Sequence, residues 1–417
     1  MKNKIKKILA HRVFKNSTAL IIMQLFSYIS PFLVLPLLAR VMSLNDFGIL
    51  MMTFSFITIS LVISDFGFNL SGTYYISQHI DNHNEICRYL TGVFIIKVLI
   101  FIVILFIMYF LGTSILGVNK TTYFLLLSLI IFFQSFQPIW FFQGLECMKN
   151  ITIYTISSKL IYLFFIFLFA NDGNIEKVLL SFLISQIFAT LCSLFFIFRL
   201  GYKFSLPNVK SIKIYFLDSL PFFLSRVAVV IYTSANTLIL GKYTELSQAA
   251  IYSSSEKIYN AGQGILNPIS QAFFPYLSKN KNTTNYLKFI LFSSIILSIA
   301  CFIFSLYAQD IIIIFFGNAF KESGVILQIF LITLVVTYLS INFGYPIYAT
   351  IGKIKYVNYT VIIGAILQTF GLLILYQLNH LNAKYLALLV LIVESSILFL
   401  RIMLYIILIR NRVKNVI

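Results

Sequence analysis

The sequence predicts an all-α, polytopic membrane protein with twelve transmembrane helices. Three observations support this class: 60% of the 417 residues are apolar, only 11% are charged, and the mean hydropathy is +0.94. A water-soluble domain needs a polar exterior that this composition does not supply. Apolar runs of about 20 residues, the length of helix that crosses a bilayer, recur along the whole chain. Such continuous runs favour helices over the alternating strands of a membrane barrel.

Each predicted span is an apolar run between polar or charged segments. The first run is too long for the apolar region of a secretory signal and leads straight into further spans, so no cleaved signal is expected. The predicted spans are 18–42, 46–69, 88–112, 122–144, 151–170, 177–199, 214–240, 248–277, 286–307, 325–349, 356–378 and 384–409.

The spans are predicted to form two six-helix lobes around a central cavity. The longest basic hydrophilic connection, residues 199–215, follows the sixth span, and residues 35–50 align without gaps over 237–252 as a weak internal repeat. At the same offset, Gln24 lies opposite Arg226. Parallel repeats of this kind build transporters with a substrate site between the halves. The predicted regions are an N-terminus (1–17), an N-terminal lobe (18–199), a linker (200–213), a C-terminal lobe (214–409) and a tail (410–417).

The charges of the loops predict the orientation in the membrane. With the N-terminus inside, the cytoplasmic loops and termini hold twenty Lys and Arg residues, and the outer loops hold five. Short cytoplasmic loops are enriched in these residues, so both termini are predicted to be cytoplasmic. This asymmetry, together with attraction to anionic lipid headgroups, explains the net charge of +18, and a nucleic-acid partner is not needed.

Span 7 carries a charge at membrane depth. At about 100° per residue, Ser219, Arg226, Thr233 and Thr237 share one helix face. A rise of ~1.5 Å per residue places Arg226 about 18 Å into span 7, level with Glu256, which lies about 12 Å into span 8. Two compatible interpretations stay open: a structural Arg–Glu pair, or a cationic substrate contact with Glu256 as its counter-ion or as a proton carrier.

Span 8 is more polar still. One face holds Ser253, Glu256, Asn260, Gln263, Asn267 and Ser270. We expect Gly262, Gly264 and Pro268 to interrupt the helix. A face of this kind is too costly to turn towards lipid, and backbone breaks at membrane depth are tolerated beside a cavity. We therefore expect span 8 to line an aqueous cavity.

Five further charges have less specific interpretations. Lys97 and Lys159 lie about 14 Å from the cytoplasmic ends of spans 3 and 5, where they are cavity cations or snorkel to the surface. Glu394, near mid-depth on span 12, serves ion coupling or forms an interhelical hydrogen bond. Asp65 and Arg401 lie close to the inner surface, where an interfacial position is one explanation.

These arguments give three sets of candidate site residues. The substrate-cavity candidates are Arg226, Gln24, Thr233, Asn260, Gln263, Asn267, Lys97 and Lys159. The candidates for ion coupling or a counter-ion are Glu256, Glu394 and Asp65. Arg40 and Lys242, at the outer ends of spans 1 and 7, are candidate gate residues, and Arg40 is alternatively a headgroup anchor.

No motif indicates catalysis, a metal or a cofactor. The glycines of residues 261–268 are not followed by the Lys-Ser/Thr of a P-loop, and neither GxSxG nor HExxH occurs. The four cysteines lack metal-ligand or redox spacing, so free thiols are expected. The sequence therefore predicts a protein that is not an enzyme, and any driven transport would use an ion gradient.

Four stretches resemble a known family. They are LPLLARVMSLNDFGIL (35–50), ISDFGFNLSGTYYIS (63–77), QPIWFFQGLECMKNITIYTISSKL (137–160) and AAIYSSSEKIYNAGQGILNPISQAFFPYLSK (249–279). Together they resemble the Wzx-type O-antigen flippases of the multidrug/oligosaccharidyl-lipid/polysaccharide exporter superfamily. The resemblance implies two six-helix lobes in a bacterial inner membrane. It also implies translocation of an undecaprenyl-pyrophosphate-linked repeat unit to the periplasmic leaflet, with membrane lipid, a polysaccharide polymerase and chain-length proteins as candidate partners.

Three alternative functions remain open. A drug/cation antiporter of the same superfamily would be expected to have an acidic cavity, whereas the candidate residues here include one Arg and two Lys. A lipid II flippase is usually built with two additional helices. A membrane glycosyltransferase or polymerase ordinarily needs a large extramembrane loop with catalytic residues, and no loop between the predicted spans is long enough.

Overall fold

The computed structural model describes residues 22–24, 26–27, 29–112, 121–170, 172–280 and 283–414. Within these residues the chain forms helices and connecting turns without a β-strand, which confirms the predicted all-α class.

In the described residues, eight α-helices precede the predicted linker. They are α1 Ile22–Val41, α2 Leu44–Asp65, α3 Phe68–Gln78, α4 His83–Ile107, α5 Thr121–Ser135, α6 Ile139–Gly144, α7 Met148–Phe169 and α8 Ile175–Arg199. A π-helical turn, Met108–Gly112, extends α4.

Nine α-helices begin at or after Val209 in the described residues. They are α9 Val209–Thr233, α10 Ala235–Tyr243, α11 Leu246–Asn280, α12 Thr284–Leu306, α13 Ala308–Phe316, α14 Ser323–Asn342, α15 Tyr345–Thr350, α16 Lys355–Gln377 and α17 Ala383–Lys414. A short 3-10 helix, Asn318–Phe320, lies between α13 and α14.

The described residues contain ten helical stretches that are long and apolar enough to cross a membrane. These ten correspond to predicted spans 1–6 and 9–12. Spans 7 and 8, which form α9 to α11, carry the polar faces described above and are not among them. The protein is a multi-pass membrane protein, and the predicted count of twelve spans is compatible with these ten.

The chain divides into two compact units. Unit 1 comprises Met1–Ser43 and Thr53–Val227, and unit 2 comprises Leu44–Met52 and Ala228–Ile417. Helices α2 and α9 therefore each contribute residues to both units. The lobe boundaries predicted from the sequence stay a prediction.

In unit 1, part of the predicted linker packs against α4. The Ser205 amide donates a hydrogen bond to Thr91 Oγ1 at 2.8 Å, and the ring of Tyr202 stacks on His83 with 4.3 Å between ring centroids. Burial raises the pKa of the Tyr202 phenol. Because these contacts hold the linker residues against α4, the linker belongs to the same compact unit as that helix. This is one reason why unit 1 extends beyond residue 199.

Unit 2 contains the start of α2. The ring of Phe47 lies edge-on to Phe316 and Phe320, at centroid distances of 6.3 and 5.0 Å. At Gly48, an added Cβ would lie 2.1 Å from the backbone oxygen of Leu246. Only glycine allows this close approach of α2 to the start of α11.

Two helix interruptions differ from those expected. Span 2 is broken, because Phe66 and Gly67 both have positive φ, and a Cβ on Gly67 would lie 2.7 Å from the Phe223 amide nitrogen. The expected interruption of span 8 is wrong, since α11 is one continuous helix of 35 residues. Gly262 instead lets α11 approach α14 closely, because a Cβ there would lie 2.8 Å from Leu334 Cδ2.

Candidate functional site

Unit 2 encloses a polar cavity of about 210 Å³. Its walls come from the end of α9 and from α10, α11, α14 and α17. The lining residues are Thr233, Asn236, Tyr252, Glu256, Tyr259, Asn260, Gln263, Phe330, Thr337, Ser340, Ile341, Val390, Glu394, Ile397 and Arg401.

Helix α11 supplies one wall of this cavity. Its lining residues recur every three or four positions, from Tyr252 to Gln263, which is the spacing of one helix face. The Tyr259 ring stacks on Phe330 with 5.0 Å between centroids, and Tyr252 lies edge-on to the same ring at 5.4 Å. Three residues of the polar face predicted for span 8, Glu256, Asn260 and Gln263, therefore line this cavity, and the rest of that wall is aromatic.

Hydrogen bonds fix the side chains between α11 and α14. Gln263 Nε2 donates to Tyr259 OH at 2.5 Å, and Tyr259 OH lies 2.9 Å from Thr337 Oγ1. Next to these bonds, Asn236 Nδ2 donates to Tyr252 OH at 3.1 Å, and Asn236 Oδ1 accepts from Gln368 Nε2 at 3.0 Å. These bonds hold the polar groups of the cavity in fixed positions.

Two carboxylates line the cavity from different helices. Glu256, on α11, is half-buried, and its Oε2 accepts a hydrogen bond from Thr237 Oγ1 at 3.2 Å. Glu394, on α17, is only 8% exposed. Carboxylates at this depth are costly and mark ion or proton pathways when they face a polar cavity.

Arg401 also lines the cavity, about two turns after Glu394 on the same face of α17. The two side chains lie close enough for electrostatic attraction. Arg401 is 7% exposed; its Nε donates to Thr360 Oγ1 at 3.1 Å, and one terminal nitrogen donates to Ser340 O at 2.6 Å. Hydrogen bonds to α14 and α16 therefore bury its guanidinium, and the position of Arg401 near the inner membrane surface stays a prediction.

The other candidates in unit 2 occupy several environments. Thr233, Asn260 and Gln263 line the same cavity as the carboxylates. Asn267 and Gln263 line a neighbouring cavity of about 10 Å³. Lys242 is exposed near the end of α10. Their functional roles stay predictions.

The residues of the predicted polar face of span 7 lie on two helices and in different environments. Helix α9 ends at Thr233 and α10 begins at Ala235, so that Thr237 lies on a different helix from the other three residues. Ser219 is fully buried in unit 1, and its Oγ lies 2.7 Å from Ser71 Oγ. Thr237 is buried in unit 2 against Glu256. Arg226 itself is exposed on α9.

In unit 1, three predicted site residues have defined surroundings. Lys97 is 3% exposed, and its ammonium donates to Ser135 O at 2.7 Å. Asp65 is half-buried, accepts a hydrogen bond from the Asn69 amide at 3.3 Å, and interacts electrostatically with Lys97. Lys159 is half-buried on α7.

Helix α1 carries the last two candidates of unit 1. Gln24 is half-buried, and Arg40 is exposed near the end of the helix. Among the residues that the structure describes, no group of three or more His, Cys, Asp or Glu residues is placed to hold a metal ion.

Sequence reasoning missed several cavity residues. Thr337 and Ser340, three residues apart on the apolar helix α14, were not selected, and Tyr252 was treated as part of a family motif alone. The i, i+3 spacing of two hydroxyl residues in an otherwise apolar span is the signal that could have identified this wall.

The described residues form a bundle of membrane-spanning helices with a carboxylate-bearing cavity, and solved structures share this fold. The lipid II flippase MurJ in an inward closed conformation matches with a TM-score of 0.65 and 16% identity, over 94% of this chain and 87% of that one. A MOP superfamily transporter from Pyrococcus furiosus matches with a TM-score of 0.65 and 12% identity, over 97% of this chain and 95% of that one. A MATE transporter from Vibrio cholerae matches with a TM-score of 0.59 and 13% identity, over 97% and 98%.

The chain belongs to the polysaccharide biosynthesis protein family, whose sequence profile matches residues 13–281. Two curated relatives are candidate O-antigen transporters by name. The one from Shigella dysenteriae is 28% identical over 272 residues, covering 64% of this chain and 67% of the relative. The one from Escherichia coli K12 is 26% identical over 272 residues, covering 63% of this chain and 64% of the relative. The matched segment thus spans about two thirds of these relatives.

Proposed function

We propose that this protein is a flippase for an undecaprenyl-pyrophosphate-linked repeat unit of O-antigen or another surface polysaccharide. It moves this unit from the cytoplasmic to the periplasmic leaflet of a bacterial inner membrane by alternating access. The observation that carries the proposal is membership of the polysaccharide biosynthesis family. The names of the two relatives and the flippase fold support it.

The physical task explains why such a protein needs buried polar groups. Sugar hydroxyls and a pyrophosphate lose their hydration in hydrocarbon, so they need replacement hydrogen bonds during the crossing. Arg226 is the candidate for the pyrophosphate, because a guanidinium binds such groups through two parallel hydrogen bonds. The polyprenyl tail stays in lipid.

The carboxylate cavity of unit 2 is the proposed ion-coupling site. It presents Glu256 and Glu394 together with amide and hydroxyl oxygens, the groups that bind a proton or a small cation. Its volume of about 210 Å³ exceeds that of a single water, whose share of the liquid is about 30 Å³. A cation with several waters therefore fits, since the cavity has about seven times the volume of one water. Passage of an ion through this site down its gradient would supply the energy for transport against the lipid-linked substrate's gradient.

Deletion of the gene tests the proposed substrate. Cells without the protein are expected to stop making surface polysaccharide and to accumulate the lipid-linked single repeat unit, since synthesis of that unit precedes the block. Lipid extraction and mass spectrometry would identify the intermediate, and re-expression of the chain is the control. Loss of the repeat unit itself would indicate a biosynthetic enzyme, and accumulation of lipid II would indicate the peptidoglycan flippase that shares the fold.

Membrane orientation gives a second test. Reporter fusions after residues 45, 118, 174, 244, 318 and 382 are expected to report the periplasm, and those after 82, 149, 207, 282 and 354 the cytoplasm. The physical reason is the retention of Lys- and Arg-rich loops on the cytoplasmic side. A reproducible reversal near the middle of the chain would contradict the twelve-span, two-lobe organisation.

A further inference from the structure

Each unit contains a membrane span that breaks before a helix of only six residues. In unit 1, α5 ends before Pro138 and the six-residue helix α6 follows; in unit 2, α14 ends and the six-residue helix α15 follows, with Pro346 as its second residue. Where a helix breaks, carbonyls of its last turn lose the amide donors that a continuous helix would supply four residues later. Buried carbonyls need replacement donors.

In unit 1 a lysine supplies one of these donors. The Ile139 amide, which would bond Ser135 O in a continuous helix, donates to Gln137 O at 3.0 Å instead. Lys97, on α4, donates from Nζ to Ser135 O at 2.7 Å. The ammonium therefore holds the end of α5 against α4.

In unit 2 an arginine takes the same role. The Gly344 amide donates to Ile341 O at 3.1 Å, so that Ser340 O loses its helical partner. A terminal nitrogen of Arg401 donates to that oxygen at 2.6 Å and to Ser340 Oγ at 3.0 Å. From the other side of the break, Tyr348 OH on α15 donates to Arg401 O at 2.7 Å. Arg401 thus connects both sides of the break to α17.

The two positions share a physical explanation. The C-terminal end of a helix carries a partial negative charge, so a buried cation is favoured there. Lys97 is 3% exposed and Arg401 is 7% exposed, and the bonds replace hydration that both cations have lost. The cations come from non-corresponding spans, the third and the twelfth. The two units therefore reach the same arrangement with different residues.

We infer that Lys97 and Arg401 are positioning residues that hold the two helix breaks and set the direction of α6 and α15, and that transport requires both. For Lys97 this is a different role from the direct substrate contact suggested by the sequence. Arg401 also lines the carboxylate cavity, which connects the break in unit 2 to the proposed ion site. Only the transport part of this inference rests on the proposed function.

Hydrogen exchange of the full-length protein in lipid nanodiscs tests the inference. Lys97→Met is expected to accelerate exchange of the amides of residues 139–144 at least about tenfold and to leave residues 343–350 unchanged. Arg401→Met should do the reverse, so that each variant is the other's control. Methionine fills a similar volume, and the membrane abundance of each variant checks that it still folds.

The conservative variants Lys97→Arg and Arg401→Lys keep a cation at each break and are expected to restore most of the local protection. Export by both methionine variants should fall at least about tenfold at unchanged membrane abundance. The inference would be overturned if the amides at the break exchanged at wild-type rates, or if exchange accelerated throughout a whole unit. Full export by a variant with locally accelerated exchange would also overturn it. The exchange result does not depend on the cargo, so it stands even if the deletion experiment assigns another substrate.

Discussion

Arg226→Ala is expected to abolish polysaccharide export while the protein still accumulates in the membrane. Arg226 is exposed on α9, about 18 Å into its predicted span, where a permanent charge is retained only for a specific interaction. Each hydrogen bond to a charged group contributes about 1.5–3 kcal/mol, so that losing a two-bond contact should lower export at least about 100-fold. Surface polysaccharide and membrane abundance would be measured in the deletion strain.

Two further variants separate substrate binding from a structural charge. Arg226→Lys keeps the charge but loses the planar fork, and should retain partial export. Lys213→Ala, an exposed cation in the first turns of the same helix, should behave as wild type. If Arg226 serves only to balance Glu256, the double variant Arg226→Met, Glu256→Gln should restore full export. That result would overturn the substrate contact.

Glu394→Gln is expected to uncouple transport from the ion gradient. Glutamine keeps the shape and a hydrogen-bonding group, but it neither releases a proton nor attracts a cation at ordinary pH. Because Glu394 is buried and lines the same cavity as Glu256, we expect export to fall at least about tenfold at unchanged abundance. Glu256→Gln should act in the same direction, and the exposed Glu322→Gln is the matched control.

Ion binding can be measured without transport. The unfolding midpoint of the purified wild-type protein should change with the concentration of the coupling ion, because an ion that binds only the folded state stabilises it. Titrations with Na⁺ and with H⁺ would identify the ion, and Glu394→Gln should lose most of the response. A variant that keeps both the full response and full export would exclude Glu394 from ion coupling.

Much of the site was predictable where the signal is local. Glu256, Asn260 and Gln263 were selected because they share a helix face, and they line one cavity since α11 is a regular helix there. The same argument did not predict the surroundings of Ser219 and Thr237, because each is buried against a distant residue, Ser71 and Glu256 respectively. The burial of Arg401 was not predictable, because it depends on three other helices that lie far away in the sequence.

The sequence by itself determined the all-α membrane class, the position of ten spans, the polar face of α11 and the family. The spans and the polar face were predictable because the free energy of placing a side chain in lipid depends mainly on that residue and its helix face. Only the tertiary structure decided where the spans break, that Glu394 and Arg401 share a cavity with Glu256, and that Lys97 bonds the end of α5. These features depend on contacts between segments that are distant along the chain. Neither hydropathy nor helical period contains information on which distant groups satisfy a buried carbonyl or charge.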